Sequence, residues 1–175
     1  MKVKSSENAS FGKVYTEVFP VLMRVAYHVT YSVDVSEDIV QEAFIRFYEK
    51  NMDFPSVDEA KYWLIRVTKN LAINVVKRKS REKAMVEKIK KVPKAPVQDG
   101  EDALIDQEKK EMIRTAVESL PEKLKSVLIL KEYADLNYKQ IGIVLHISES
   151  NVKVRVHRAR KMLETMLDRG EIHVS

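Results

Sequence analysis

NYKQIGIVLHISESNVKVRVHRARKML, residues 137–163, decides the fold. Asn137 followed three residues later by Gln140 makes a capping-box-like start to the short helix YKQIGIVL. The turn His146-Ile147-Ser148 follows, and Ser148 caps a last helix, ESNVKVRVHRARKMLETML. Two helices around a short turn, the second richly basic, have the layout of a helix-turn-helix. At about 100° per residue, setting Val152 at zero puts Val156, Ala159 and Leu163 within about 40° of it, which defines a buried face. Val154, His157, Arg158 and Lys161 fall opposite, with Asn151, Lys153, Arg155 and Arg160 on the flanks. Such a helix can reach base edges in a major groove while its flanking cations meet phosphates. The alternative is a solvated helix whose positive charges favour the C-terminal end of the dipole. The capped helix and tight turn before it favour DNA reading.

Moving toward the N-terminus, an amphipathic helix is predicted from about Ala103 to Ser119. Pro121 then opens another that carries Leu124, Val127, Leu128 and Leu130. Before these, KKVPKAPVQDGED, residues 90–102, breaks every periodic pattern with Pro93, Pro96 and Gly100 and reads as an interdomain linker. The charge changes sign across it. Lys69 to Lys94 holds ten Lys or Arg against two acids, and Asp99 to Glu111 holds six acids against two lysines.

In the first half, Phe11, Val14, Tyr15, Val18, Leu22, Val25 and Val29 form one apolar stripe, ending in a turn-like break at 31–35. A second helix is predicted with Ser36 as N-cap, Glu37 and Asp38 in its first turn, and Val35 with Val40 as a hydrophobic staple. Ile39, Ala43, Phe44 and Phe47 face a core. After the loop NMDFPSVDEA, a third helix is predicted from about Lys61 to Arg81 or beyond. Leu64, Val67, Leu71 and Val75 supply its apolar face. Arg66, Asn70, Asn74, Lys77 and Arg81 recur every three or four residues on another face, widened by Lys69 and Arg78. Cations and amides beside exposed aromatics, here Tyr62 and Trp63, are what a nucleic-acid single strand requires: stacking surfaces for bases and charges for the backbone. Core packing of the Trp and solvation of the cations are the competing readings.

The bulk composition agrees. The chain has 175 residues, 45% apolar and 33% charged, with four glycines and a formal charge of +5. That is too apolar for a disordered chain and too charged for a membrane protein, and it is long enough for two small helical domains. No stretch is long and apolar enough for a membrane span or a signal peptide, so a cytoplasmic protein is expected. With no cysteine, and with His28, His146, His157 and His173 scattered, neither a metal nor another cofactor is expected. A nuclease would need clustered carboxylates for its metal ions, and the acids here are dispersed.

SEDIVQEAFIRFYEK and KYWLIRVTKNLAINVVKRKSR, followed after a linker by LPEKLKSVLILKEYADLNYKQIGIVLHISESNVKVRVHRARKML, resemble regions 2 and 4 of the extracytoplasmic-function (ECF) sigma factors of RNA polymerase. The resemblance covers about residues 10–168. It implies an all-α chain of two small helical domains: a region 2 domain at 8–90, a linker at 91–107 and a region 4 helix-turn-helix domain at 108–170. By the same resemblance, Asp38, Gln41, Glu42 and Arg46 dock on the clamp helices of the polymerase's largest subunit, and region 4 meets the beta-subunit flap. The loop from Met52 to Glu59, with Asp53 and Phe54, joins Tyr62, Trp63, Arg66, Lys69, Asn70, Asn74, Lys77, Arg78 and Arg81 to capture the melted non-template strand of the minus-ten element, one base being turned out into the loop. Ser150, Asn151, Lys153, Val154, Arg155, His157, Arg158 and Lys161 would contact the minus-thirty-five duplex.

The resemblance further implies a non-enzymatic transcription initiation factor that acts in a stress response. Its expected regulator is an anti-sigma factor, which could hold it at the membrane. About 20 linker residues, 88–107, extended to roughly 65–70 Å, would let both domains touch one promoter, and the acidic stretch could enter the polymerase's nucleic-acid channel. The sequence departs from the family at Gln140-Ile141-Gly142, where Glu-Ile-Ala is common, and at His146, where Gly is common. Val154 stands where a small polar residue is frequent and His157 where an aromatic often is, so promoter preference does not transfer. A free-standing helix-turn-helix regulator is the rival reading, and it leaves the block from Trp63 to Arg81 without a role.

Overall fold

The computed structural model describes residues 2–88 and 101–172, with side chains described for 2–88 and 105–169. Helix α1 (Asn8–Thr30) buries Val14, Val18, Leu22, Val25 and Val29, which recur at helical spacing. It ends where Tyr31 turns left-handed (φ 52°) and donates its N–H back to the Tyr27 carbonyl. Helix α2 (Val33–Glu49) starts three residues before the expected Ser36 cap. Ser32 is the N-cap, its Oγ accepting from the Val35 N–H at 3.4 Å. Ser36 lies buried inside the first turn and donates its hydroxyl to the Ser32 carbonyl at 2.7 Å. Ser36 cannot cap a helix that has already begun. Ile39, Ala43, Phe44 and Phe47 are buried as expected.

Helix α3 (Val57–Glu87) also starts earlier than the expected Lys61. Ser56 caps it by accepting from the Glu59 N–H at 3.2 Å, and Asp58 and Glu59 favour its positive end. The strands β1 (Val3–Lys4) and β2 (Asp53–Phe54) pair antiparallel, Val3 opposite Phe54. They anchor the N-terminus to the loop before α3, upstream of residue 8, where the first domain is expected to begin. Leu22, Val40, Phe47, Leu64 and Ile65 fill the three-helix core, each contributing about 1.5–3 kcal/mol by leaving water.

Helix α4 (Glu101–Glu118) starts inside the stretch expected as linker, so residues 101–107 are helical; residues 91–100 lie outside the described residues. The helical residues 101–107 reduce the reach expected of the linker, because a helix advances only about 1.5 Å per residue. Helix α5 (Glu122–Tyr133) follows Pro121, which stands at the N-cap, one position before the first turn. Helix α6 (Tyr138–Leu145) has the full capping box: Gln140 N–H to Asn137 Oδ1 at 2.9 Å and Asn137 N–H to Gln140 Oε1 at 2.8 Å.

His146 takes the left-handed conformation (φ 55°) that closes α6, a position where glycine costs nothing. Helix α7 (Glu149–Ile172) opens at Ser148, whose Oγ accepts from the Asn151 N–H at 3.2 Å. Gly142 is needed where it stands: a Cβ there would lie 2.6 Å from the Ile147 carbonyl oxygen of the turn. The backbone of this turn thus packs directly on α6.

The two domains touch. α1 lies against α5 and α3 against α6, and the buried residues of α5, α6 and α7 continue the core of the first domain.

Candidate nucleic-acid and polymerase interfaces

Helix α7 divides as its angular pattern requires. Val152, Val156 and Ala159 are buried, Leu163 half-buried, and Val154, Asn151, Lys153, His157, Arg158 and Lys161 exposed. Arg155 is half-buried on the flank and Ser150 is exposed in the first turn. Lys153 pairs with Glu149 at 2.9 Å, an exposed contact that a phosphate can displace at little cost. Arg160 turns toward α5 and donates to Glu132 at 2.9 Å, so it braces the two helices and is withdrawn from the reading face. The outward surface therefore centres on Val154, His157, Arg158 and Lys161, an apolar contact among hydrogen-bond donors.

The face of α3 is less open than its sequence suggests. Asp53, Asn70, Asn74, Lys77, Arg78 and Arg81 are exposed. Two expected aromatic contacts are not: Tyr62 is 7% exposed and Phe54 is 6% exposed, both inside the core. Phe54 is held there by the β1–β2 pair and stacks on Phe47 with ring centroids 5.3 Å apart. Trp63 is half-buried, tilted against Phe47 at 5.9 Å and edge-on to Phe54 at 6.3 Å, so only part of its ring faces solvent. Among the aromatics assigned to strand capture, Trp63 alone retains a surface on which a base can stack.

Three of the cations are also engaged. The Arg66 guanidinium donates to the Val144 carbonyl at 2.6 Å and the Ile143 carbonyl at 3.0 Å. Lys77 donates to Glu122, which holds that carboxyl below its usual range. Lys69 lies half-buried between them, and burial is the main cause that pushes its ammonium below the ordinary lysine range.

On α2, Asp38, Gln41 and Arg46 are exposed and Glu42 half-buried, one turn apart along the helix. Arg46 Nε donates to Glu42 Oε1 at 2.6 Å, an i,i+4 pair on the open surface. Asp38 and Glu42 border a cleft toward α3 that Leu71, Val75, Arg78 and Lys79 complete. Beside Gln41 lies a feature the sequence reading missed: Tyr15, Ile45 and Tyr48 are exposed around Phe11 and Phe44, forming an apolar depression. Tyr15 was expected in the core stripe of α1. The spacing Gln41, Ile45, Tyr48 was the available signal, because α2 places these positions on one edge, outside the core set Ile39, Ala43 and Phe47.

Residues 14–82 match the family description "Sigma-70 region 2", and residues 110–163 match "Sigma-70, region 4". The chain is 30% identical over 175 residues to the ECF RNA polymerase sigma factor SigW of Bacillus subtilis (strain 168), with 95% of this chain and 93% of that one covered. This chain is an ECF sigma factor. It directs RNA polymerase as an alternative sigma factor and has both regions in family order, which removes the free-standing helix-turn-helix reading: region 2 has no place in such a regulator.

The fold is similar to that of two solved structures. One is RpoE in complex with the anti-sigma factor NepR from Bartonella quintana (TM-score 0.61, 22% identity, 90% of this chain and 96% of that one). The other is CnrH in complex with the cytosolic domain of CnrY (TM-score 0.67, 19% identity, 94% and 92%). Sigma factors are non-enzymatic transcription initiation factors.

Proposed function

We propose that this sigma factor grips its promoters at two sites with two unlike surfaces, in the domains expected at 8–90 and 108–170. The carrying observation is the pair of exposed stripes: Asn70, Asn74, Arg78 and Arg81 on α3, and Val154, His157, Arg158 and Lys161 on α7. The amide-and-cation stripe beside the half-open Trp63 suits a flexible, melted minus-ten strand. The groove-reading stripe, carried on a rigid helix behind a tight turn, suits the minus-thirty-five duplex. Asp38, Gln41, Glu42 and Arg46, with the neighbouring apolar depression, dock on the clamp helices of the largest polymerase subunit, and the second domain meets the beta-subunit flap.

The protein works in the cytoplasm in a stress response. No helix among the described residues is long and apolar enough to cross a membrane. An anti-sigma factor that covers the polymerase-binding faces holds it inactive, a reading supported by the similar sigma factor RpoE, solved in complex with the anti-sigma factor NepR.

Two experiments test this. In a pull-down with core polymerase, Asp38→Ala and Glu42→Arg are expected to weaken binding, and unchanged retention of both variants counts against the α2 assignment. In a gel shift on duplex promoter DNA, sequence-specific binding is expected only with core polymerase. Tight, specific binding by the chain alone contradicts the proposal.

A further inference from the structure

We infer that Ser80 is a phosphorylation site for a serine/threonine kinase that selects basic residues ahead of its target, and that the phosphate weakens the minus-ten grip of α3. This rests on the reading of α3 as the strand-binding surface.

The sequence supplies the recognition. Ser80 follows Lys77, Arg78 and Lys79 and precedes Arg81. It alone among the serines and threonines of the chain has cations at both the second and the third positions before it. A kinase whose peptide groove is lined by carboxylates selects its targets by such a charge pattern. Ser5 and Ser126 each follow a lysine three residues back, but both are buried.

The structure supplies the access. α3 is held in the first domain along Ala60, Leu64, Ile65, Thr68 and Ala72, and Val75 and Val76 still pack against the core. From Lys77 to Lys88 every residue is exposed. Three turns of helix thus run on without burying a side chain. The start of α3 is capped by Ser56, whereas its last turn carries no basic residue to favour the negative pole. The ion pairs along the exposed turns, Lys77 with Glu122, Arg78 with Glu82 and Lys83 with Glu87, lie on the open surface and are individually weak. A helical segment of this length without packing is marginal in water, so it unwinds locally at little cost while the core stays folded. Ser80 can therefore enter a kinase in extended form.

In the transfer, Ser80 Oγ bonds to the γ-phosphorus of ATP as the bond to the bridging β–γ oxygen breaks. ADP leaves, and the hydroxyl proton passes to the base of the kinase. The product carries a charge of about −1.5 to −2 at pH 7. Lys77 and Lys83 lie one turn to either side of Ser80, and Arg78 and Arg81 within two residues of it, all within about a Debye length of 8–10 Å. The phosphate pairs with cations that would otherwise meet the strand and repels the strand's own phosphates. Each cation contact to a single strand adds about 0.7 to the slope of log affinity against log salt, so cancelling two of them costs about tenfold at about 0.15 M salt.

The test uses the full chain, ATP and the catalytic subunit of cAMP-dependent protein kinase, which prefers serines preceded by two basic residues. Mass spectrometry is expected to find a phosphate at Ser80 that Ser80→Ala does not accept. A chain that takes no phosphate at Ser80 overturns the inference. The phosphorylated and unmodified chains are then assembled with core polymerase, and their affinity for a labelled non-template strand from a transcribed promoter is read by fluorescence anisotropy across a salt series. The phosphate is expected to lower affinity about tenfold and to flatten the salt slope by about 1.4, with retention by core polymerase unchanged. Kinase-treated Ser80→Ala is expected to bind like the unmodified chain. Unchanged strand affinity, or a loss of core retention in its place, overturns the proposed role. Arg81→Ala separates the two ways of failing. If it weakens strand binding and the phosphate does not, the inference falls alone; if neither does, the assignment of α3 falls with it.

Discussion

Helices α3 and α7 are both long, basic and amphipathic, yet only one of them presents its full expected surface. α7 closes a small domain and buries one narrow face, Val152, Val156 and Ala159; everything opposite it meets solvent. α3 is buried in the first domain along Leu64, Ile65, Thr68 and Ala72 and is met on a second side by α6. A helix covered on one face shows its function in its angular pattern. A helix covered on two faces hides part of it, and the second contact takes cations that the pattern assigns to DNA.

Substitutions separate the two cases. The largest effect is expected at Phe54. If it belongs to the core, Phe54→Ala lowers the stability of the first domain by about 3–5 kcal/mol, measured by chemical denaturation. Unchanged stability with weakened strand binding would return Phe54 to the DNA face. On α7, Arg158→Ala is expected to lower duplex affinity of the holoenzyme by about 1–3 kcal/mol and relax preference at one base pair. A loss uniform across sequences would mark a phosphate contact.

Smaller still is His146→Gly. It removes the cost of a left-handed backbone in the turn and should stabilise the second domain by about 1 kcal/mol, seen as a raised midpoint in thermal unfolding. The smallest effect is expected from acid. Burial holds His28 below its usual value near 6.5, so the unfolded chain takes up the proton more readily than the folded one. The stability that neutral His28 contributes should be fully present above about pH 6.5 and fall as the pH drops below that value. His28→Phe, which keeps a flat ring against Tyr133 and cannot titrate, should abolish that part of the pH dependence in chemical denaturation.

Much of this was legible in the sequence, and the misses have physical causes. The caps at Asn137, Gln140 and Ser148 and the faces of α7 depend on neighbours within one or two turns, and they stand as read. Ser36 reads as the cap because acids follow it, but the start of the helix is set by the hydroxyl that reaches a free N–H, and that is Ser32. Tyr62 reads as a stacking surface, and Phe54 enters the strand-binding loop through the resemblance, because an aromatic beside polar residues has no local signal for burial. The cause is nonlocal: β1, some 50 residues upstream, folds over β2 and fixes Phe54 inward. The contact between the domains is less legible still. Arg66 meets Val144 across 78 residues of sequence and Arg24 meets Asp135 across 111, and nothing in either neighbourhood encodes the other.

The central claim is that two unlike surfaces read two promoter elements. Run-off transcription with core polymerase on a randomised promoter library tests it most directly. Transcribed templates should carry two separated motifs, with Arg158→Ala changing the upstream motif alone and Asn74→Ala the downstream motif alone. A single motif, or both motifs changed by either substitution, would contradict it.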